Sequence, residues 1–412
     1  MARQGGVARV AVLGAGFQGT CIALELARRG VAVDLYDREN RPITRAGRWN
    51  EGKVHLGFVY ANDPTRATAA RMVDGALAFR RALSRWIDVD DEVSALDPFV
   101  YAVPRDSMLS VSAIRDHFEA VDRLIAEGIA RGGDYLGDEP GRAFDEMPRR
   151  VWSSAFDPAR IQTVFRTVER SVDPAVVARR LRAAVTADST ITWLPNRSVL
   201  GVSSGVGRRE VASRRSDGDE VEVRTYPMVI NALWEGRPEI DLAAGIRSPR
   251  PFFHRLKYGV WIDGVDEHRP ASSDLPSTTL VLGPYGDIVR FRGGQLYLCW
   301  YPSGRVAAVA GTRPPHWAVA PSEERGRAIL RESLDQLAAF CPAIGHIEPS
   351  AFIVRGGPIV ALGQSDIESV DSRLHTRSEV EPKAVDGYIS VPTGKYTLAP
   401  FYALDVADRV LA

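Results

Sequence analysis

Lysine is nearly missing from this chain. Of 52 cationic residues only Lys53, Lys257, Lys383 and Lys395 are lysine. A lysine inside a motif is therefore unusual, whereas any one of the 48 arginines starts as a solvated surface residue. Cysteine is also scarce. Cys21, Cys299 and Cys341 form no C-x-x-C pair, which excludes a disulfide framework and fits a reduced, cytoplasmic setting. No apolar run approaches the roughly 20 residues that cross a bilayer, and an apolar strand beginning by Arg9 leaves no room for a signal peptide. Acidic and basic residues balance at 52 each, so no long-range field favours nucleic acid or an anionic membrane. The seven histidines show neither H-x-x-x-H nor H-E-x-x-H spacing, and no metal site is expected. Neither a G-x-S-x-G nucleophile turn nor a Walker loop is present. These absences favour a bound cofactor that does the hard chemistry.

Residues Val10 to Asp37 supply a place for one. Val10-Ala11-Val12-Leu13 reads as a strand, Gly14-Ala15-Gly16-Phe17-Gln18-Gly19 as a turn, the stretch to Arg29 as an amphipathic helix ended by Gly30, and Val31 to Asp37 as a second strand. The glycines follow G-x-G-x-x-G between an apolar strand and a helix, the context a dinucleotide site needs. Gly14 permits the tight turn, Gly16 lets a pyrophosphate approach the backbone, and Gly19 lets the helix pack closely on the strand. The helix N-terminus offers its partial positive charge to phosphates. Asp37 is placed to accept hydrogen bonds from a ribose diol.

The 412 residues suggest two domains or one large split one. After a polar loop, Asn50 to Tyr60 reads as a strand-like segment, with Lys53 and His55 on one face. Asn62-Asp63-Pro64 predicts a helix start with proline at its first position, and Met72, Ala76, Phe79 and Leu83 form one buried face. Val93 to Val103 reads as extended, Ser112 to Arg131 as helical, and Asp173-Pro174 opens another helix. Ile191 to Leu194, Ser198 to Val202 and Tyr226 to Asn231 read as strands, and Asp217-Gly218 marks a hairpin. From His254 to Trp300 the period becomes that of an antiparallel sheet without alternating helices, which is a different layer. Ser322, followed by Glu323 and Glu324, caps a helix to Phe340. Strand-like Phe352 to Ala361 and Tyr388 to Val391 precede a final helix. Nucleotide-type elements thus occur at both ends and in the middle, with the sheet inserted among them.

Four groups of residues could carry chemistry. Lys53 and His55 form the first, although a histidine on such a segment is as often core as functional. Arg355 and Arg373 could clamp a carboxylate or phosphate. Gly394-Lys395-Tyr396-Thr397, between strand and helix, could offer backbone N–H groups to negative charge on a cofactor ring. Tyr258, Tyr297 and Tyr301 on the inserted sheet are core or pocket lining.

On these residues the chain resembles the FAD-dependent D-amino acid oxidase superfamily. Parts are similar to aerobic-type glycerol-3-phosphate dehydrogenases and L-2-hydroxyglutarate oxidases. The unit ending at Asp37 matches the family's FAD signature. Lys53-Val54-His55-Leu56-Gly57-Phe58-Val59-Tyr60 is similar to K-x-x-H-G-G-x-R-Y with one residue fewer between Lys53 and His55. Ser372-Arg373-Leu374-His375, then Gly387-Tyr388-Ile389-Ser390-Val391-Pro392-Thr393-Gly394-Lys395-Tyr396-Thr397, resembles S-R-x-H followed by G-L-x-S-V-x-G-G-K-x-T. Asn231-Ala232 resembles the family's N-A strand end. Val59 stands where the phosphate-binding type has arginine; a lost charge-assisted contact worth roughly 1.5–3 kcal/mol argues against glycerol 3-phosphate.

The resemblance implies an α/β architecture. A discontinuous Rossmann-type FAD-binding domain (1–87, 150–248 and 346–412) would carry an inserted antiparallel-sheet α+β substrate or cap domain (88–149 and 249–345). It implies FAD as cofactor, held by Gly14, Gly16, Phe17, Gln18, Gly19, Asp37, Arg38, Asn50, Lys53, Val54, His55, Val199, Asn231, Ala232, Gly394, Lys395, Tyr396 and Thr397. The expected reaction is oxidation of a C–N or C–OH bond in a small acidic substrate by hydride transfer to flavin N5. His55, Lys395, Arg355 and Arg373 would act on the substrate, and Tyr258, Tyr297 and Tyr301 would line its pocket. The electron acceptor stays open between oxygen, a quinone and a protein. The alternatives are a flavin-dependent hydroxylase, a flavin-binding subunit without turnover, and an NAD(P)-dependent dehydrogenase.

Overall fold

The computed structural model describes residues 9–93, 97–205, 207–264 and 275–412, apart from the side chain of Arg373. Two sheets organise them. The first has six strands in the order Lys383–Val385, Tyr388–Ser390, Val229–Asn231, Val10–Leu13, Val33–Tyr36 and Ile191–Leu194. Five run parallel and only Lys383–Val385 is antiparallel to its neighbour. The chain leaves Val10–Leu13 toward Val33–Tyr36 and Ile191–Leu194 on one side. It returns as Val229–Asn231 on the other, pairing Leu13 with both Tyr36 and Asn231. The glycine turn after Leu13 therefore sits where strand order reverses, the place at which open parallel sheets leave a crevice for ligands.

The helix Phe17–Arg28 was expected to be amphipathic and instead is buried from Phe17 to Ala27. The last helix, Ala399–Leu411, and the helix Pro174–Ala187 pack against it, so its outer face never meets water. The one acid inside it, Glu25, is paired with Arg29 and Arg85 and takes the Trp86 indole N–H at 3.0 Å.

The second sheet is larger and draws its strands from four parts of the chain. Its order is Arg305–Ala310, Phe252–Asp263, Gln295–Trp300, Gly286–Phe291, Thr278–Leu280, Val100–Pro104, Ile161–Thr167 and Phe144–Glu146; Ala351–Leu362 pairs along the other edge of Phe252–Asp263. Its pairs are antiparallel except Thr278–Leu280 beside Val100–Pro104. Two strands expected on the nucleotide side, Ile161–Thr167 and Ala351–Leu362, are thus hydrogen-bonded into this sheet. A three-stranded antiparallel sheet, Arg197–Gly205, Arg208–Arg215 and Val221–Tyr226, contains the expected hairpin.

Helix starts follow local chemistry in most places. Asp173 accepts hydrogen bonds from the N–H of Ala175 (2.7 Å) and Val176 (3.3 Å) with Pro174 at the first position, and Ser322 caps Glu323–Ala338. Two local readings are corrected. The helix expected from Pro64 begins at Ala67, because Arg66 turns left-handed (φ 61°); Asp63 still accepts from Thr68 N–H at 3.0 Å. Lys53 to Tyr60 is no strand, since only Lys53 bridges to Ser171 and Phe58–Tyr60 is a 3-10 turn. Gly52 and Gly57, both at positive φ, break the extended run, and a Cβ on Gly52 would stand 1.9 Å from the Val172 carbonyl oxygen.

Candidate active site

A continuous cleft of about 570 Å³ runs from the glycine turn, between the two large sheets, to Lys395. At the first end Gly14 has φ +93°, and a Cβ on Gly19 would lie 1.8 Å from the Gly14 carbonyl oxygen. These two glycines hold turn against helix. Gly16 differs: nothing lies within 4 Å of a Cβ built there, and the residue lines the cleft. Asp37 accepts from Ala15 N–H at 2.6 Å and Glu39 N–H at 2.9 Å. Burial nevertheless pushes its carboxyl up to about 6 against those two donors. Val199, Ala232 and Arg38 line the same end, Arg38 pairing with Glu235 at 2.6 Å. Asn231 does not line the cleft. Its amide donates to Asp241 (2.9 Å) and Tyr388 (2.7 Å) and its oxygen takes Leu233 N–H, which fixes the loop that carries Ala232.

Phe17 and Tyr396 stack at 4.0 Å along the wall. The Tyr396 hydroxyl and the Gln18 side-chain oxygen are buried there without a partner. Asn50 holds the loop before Lys53, accepting from Gly52 N–H at 2.7 Å and donating to the Ala46 carbonyl at 2.9 Å. Val54 is core, its carbonyl taking the Tyr135 hydroxyl at 2.8 Å. Thr397 works from behind, accepting His55 N–H at 2.8 Å.

At the far end three of the four lysines meet: Lys53, Lys257 and Lys395 all line the cleft. Lys53 is buried, donates to Thr279, pairs with Asp287 at 3.0 Å, and lies 3.9 Å from the Phe99 ring centroid. The Lys395 ammonium stands 3.3 Å from His55 Nε2. Burial pushes it down to about 8, although Glu51 pulls the other way. Burial raises the Glu51 carboxyl, but His55, Lys257 and Lys395 outweigh it and hold it well below the usual carboxylate range. Arg255 donates to the Tyr301 hydroxyl at 2.6 Å and to Asp366 at 3.0 Å. Arg377 lines the same region, buried, with Nε and Nη1 lacking any partner. Burial and the neighbouring Arg255 push its guanidinium down to about 10.

Several expected substrate residues lie elsewhere. Arg355 donates to the Val354 carbonyl at 2.9 Å and does not line the cleft; it lies three residues before Pro358, where the strand reaches it. The Arg373 side chain lies outside the described residues. Tyr258 is one residue out of phase with Arg255 and Lys257, so its ring joins the core on the opposite face of the sheet and its hydroxyl donates to the Ala318 carbonyl. Tyr297 packs over Gly259 and against Trp261 in the other core. Tyr301 alone of the three tyrosines lines the cleft. Sequence reasoning missed Glu51, Arg255, Lys257, Asp287 and Arg377. Lysine rarity could have found Lys257, whereas the arginines give no such signal.

The donor set suits an adenine dinucleotide carrying a redox ring. Gly16 leaves open space, Asp37 ends the second strand, and the cleft continues to a cationic end with unpartnered polar atoms along it. A family model described as FAD dependent oxidoreductase matches residues 9–361. The FAD-dependent monooxygenase FPY4 of Fusarium mangiferae is 28% identical over 123 residues, which cover 29% of this chain and 31% of that relative; the match spans under a third of its length. Among solved structures, glycine oxidase from Geobacillus kaustophilus superposes with a TM-score of 0.65 at 14% identity, covering 98% of this chain and 95% of that one. FAD-bound L-alpha-glycerophosphate oxidase from Mycoplasma pneumoniae gives 0.64 at 12% identity, with 98% and 94% covered. No helix among the described residues is long and apolar enough to cross a membrane. The chain therefore belongs to the family of FAD-dependent oxidoreductases, and its cofactor is FAD.

Proposed function

We propose that this enzyme oxidises a small anionic substrate at a carbon bearing an amine or a hydroxyl. The observation that carries this reading is Arg377, a buried guanidinium with two unpartnered donor nitrogens beside Lys395 in the cleft. A buried unpaired cation is costly and an arriving carboxylate removes that cost through charge-assisted hydrogen bonds. Bound FAD would supply the two-electron acceptor. Gly14 to Gln18, Asp37, Arg38 and Val199 would hold its adenine-bearing half, and Asn50, Lys53 and His55 with Gly394 to Tyr396 its ring.

The chain's own groups then have separable tasks. Arg377 and Lys395 bind and orient the carboxylate. Arg255, fixed by Asp366 and Tyr301, adds to the positive field at the same place. His55 Nε2 can take the proton that leaves the substrate's nitrogen or oxygen, next to the Lys395 ammonium at 3.3 Å. Anaerobic addition of hydroxy acids and amino acids to purified protein tests this. Bleaching of the flavin by an acid, and not by its ester, is the expected result. A second reading, a flavin-dependent hydroxylase, is favoured by the partial match to the monooxygenase FPY4; NAD(P)H consumption coupled to oxygen insertion would select it.

A further inference from the structure

Glu169 does not itself line the cleft. It follows the strand Ile161–Thr167 and is completely buried. One carboxylate oxygen, Oε2, accepts Leu56 N–H at 2.6 Å; the other, Oε1, accepts the Tyr101 hydroxyl and lies 3.6 Å from His55 Nδ1. His55 Nδ1 is itself buried and otherwise without a partner. The carboxylate is therefore docked on the peptide that follows His55 and aimed at the one ring atom left unmatched. On the other side of the ring, Nε2 faces the Lys395 ammonium at 3.3 Å and the Glu51 carboxylate at 3.8 Å.

We infer that Glu169 positions His55, keeping the uncharged ring with its proton on Nδ1 and its lone pair on Nε2. The inference rests on the reading of His55 as the substrate's proton acceptor. The argument is one of donors and acceptors. An ionised carboxylate only accepts and an ammonium only donates. With the proton on Nδ1, the ring donates toward Glu169 and accepts from Lys395. The other tautomer sets a lone pair against Glu169 and an N–H against the ammonium in a low-dielectric site; Glu51 would accept that N–H, but at 3.8 Å it stands further from Nε2 than Lys395 does at 3.3 Å. The 3.6 Å separation is longer than a formed hydrogen bond, and such contacts commonly tighten once the reacting groups are in place. Burial raises the Glu169 carboxyl, but His55, Lys53 and Tyr101 outweigh it, which keeps it an acceptor.

Glu169→Gln should invert this arrangement. Leu56 N–H holds the amide oxygen, so the amide NH₂ turns to Tyr101 and Nδ1, which must then accept; the ring proton moves to Nε2. Nitrogen NMR of holoenzyme carrying ¹⁵N-histidine reads the tautomer directly, with His55→Gln identifying the signals. Wild type is expected to show a protonated Nδ1 and bare Nε2, and Glu169→Gln the reverse. In anaerobic stopped flow, Glu169→Gln should slow flavin reduction roughly tenfold or more with little change in substrate affinity. It should add nothing in a His55→Gln background. A bare Nδ1 in wild type overturns the inference whether or not the variant folds. An equal further loss on His55→Gln also overturns it, since Glu169 then acts independently of the ring. Because the NMR result needs no turnover, failure to find a substrate would count against the proposed function and leave the tautomer decided.

Discussion

His55 Nε2 and Lys395 Nζ stand 3.3 Å apart although 340 positions separate them in the chain. The contact joins the loop after the first nucleotide-type strands to the turn before the last helix. It is made where Thr397, two residues beyond Lys395, also takes the His55 backbone N–H. A basic ring and an ammonium can share one proton at this distance, and burial makes Lys395 ready to give it up.

Lys395 gives a pH dependence of definite sign. Its pKa in the folded protein is about 8 against an ordinary 10.5, so an anionic substrate analogue meets a cation below 8 and a neutral amine above it. Affinity should fall as pH rises through about 8, and Lys395→Met should flatten that fall in a titration followed by flavin absorbance. Stability has its own slope. Between 8 and 10.5 the unfolded chain holds a proton that the folded one has released, so stability rises with pH across that window and does so less in Lys395→Met.

Arg377→Met should weaken binding of an anionic analogue about 10–100-fold, the equivalent of one charge-assisted contact of roughly 1.5–3 kcal/mol. Its FAD content should be unchanged. Equilibrium titration of the flavin spectrum measures the first and extraction of the cofactor the second.

The glycines of the turn should separate into two kinds. Gly16→Ala has open space and no backbone strain, so the apoprotein should melt as wild type does while FAD affinity falls. Gly19→Ala forces a Cβ into the Gly14 carbonyl and should lower the melting temperature of the apoprotein itself. Scanning calorimetry with and without FAD distinguishes them.

Lys53→Met leaves the half-buried Asp287 without its 3.0 Å cation and should destabilise the protein by about 1–3 kcal/mol. Lys53→Met with Asp287→Asn removes the stranded charge and should recover much of the loss. Urea unfolding of the three proteins checks both statements.

Val10 to Asp37 were legible because their signals are local. Glycine spacing, strand length and the terminal acid all lie within one strand-turn-helix-strand unit, and the structure sets that unit at the reversal of strand order. The caps at Asp173 and Ser322 were legible for the same reason. Lys53 and Lys395 stood out because lysine is rare here. What stayed hidden depends on long-range packing. Arg377 is one arginine among 48, and only the fold leaves its guanidinium unpaired while tying Arg355 to a backbone carbonyl. Tyr258 was misjudged by a single residue of strand phase. Glu169 carries no motif, because its meaning comes from His55 and Leu56 on one segment and Tyr101 on another, both distant from it in the chain.

The proposed substrate is a small anion, anchored by Arg377 and oxidised in this cleft. Anaerobic titration of the purified yellow protein with matched acids and methyl esters, followed by flavin absorbance in wild type and Arg377→Met, tests it most directly. Bleaching by an acid, none by its ester, and a shift of the acid's half-saturation about 10–100-fold upward in the variant are expected. Equal bleaching by acid and ester, or an unshifted titration in Arg377→Met, would contradict it.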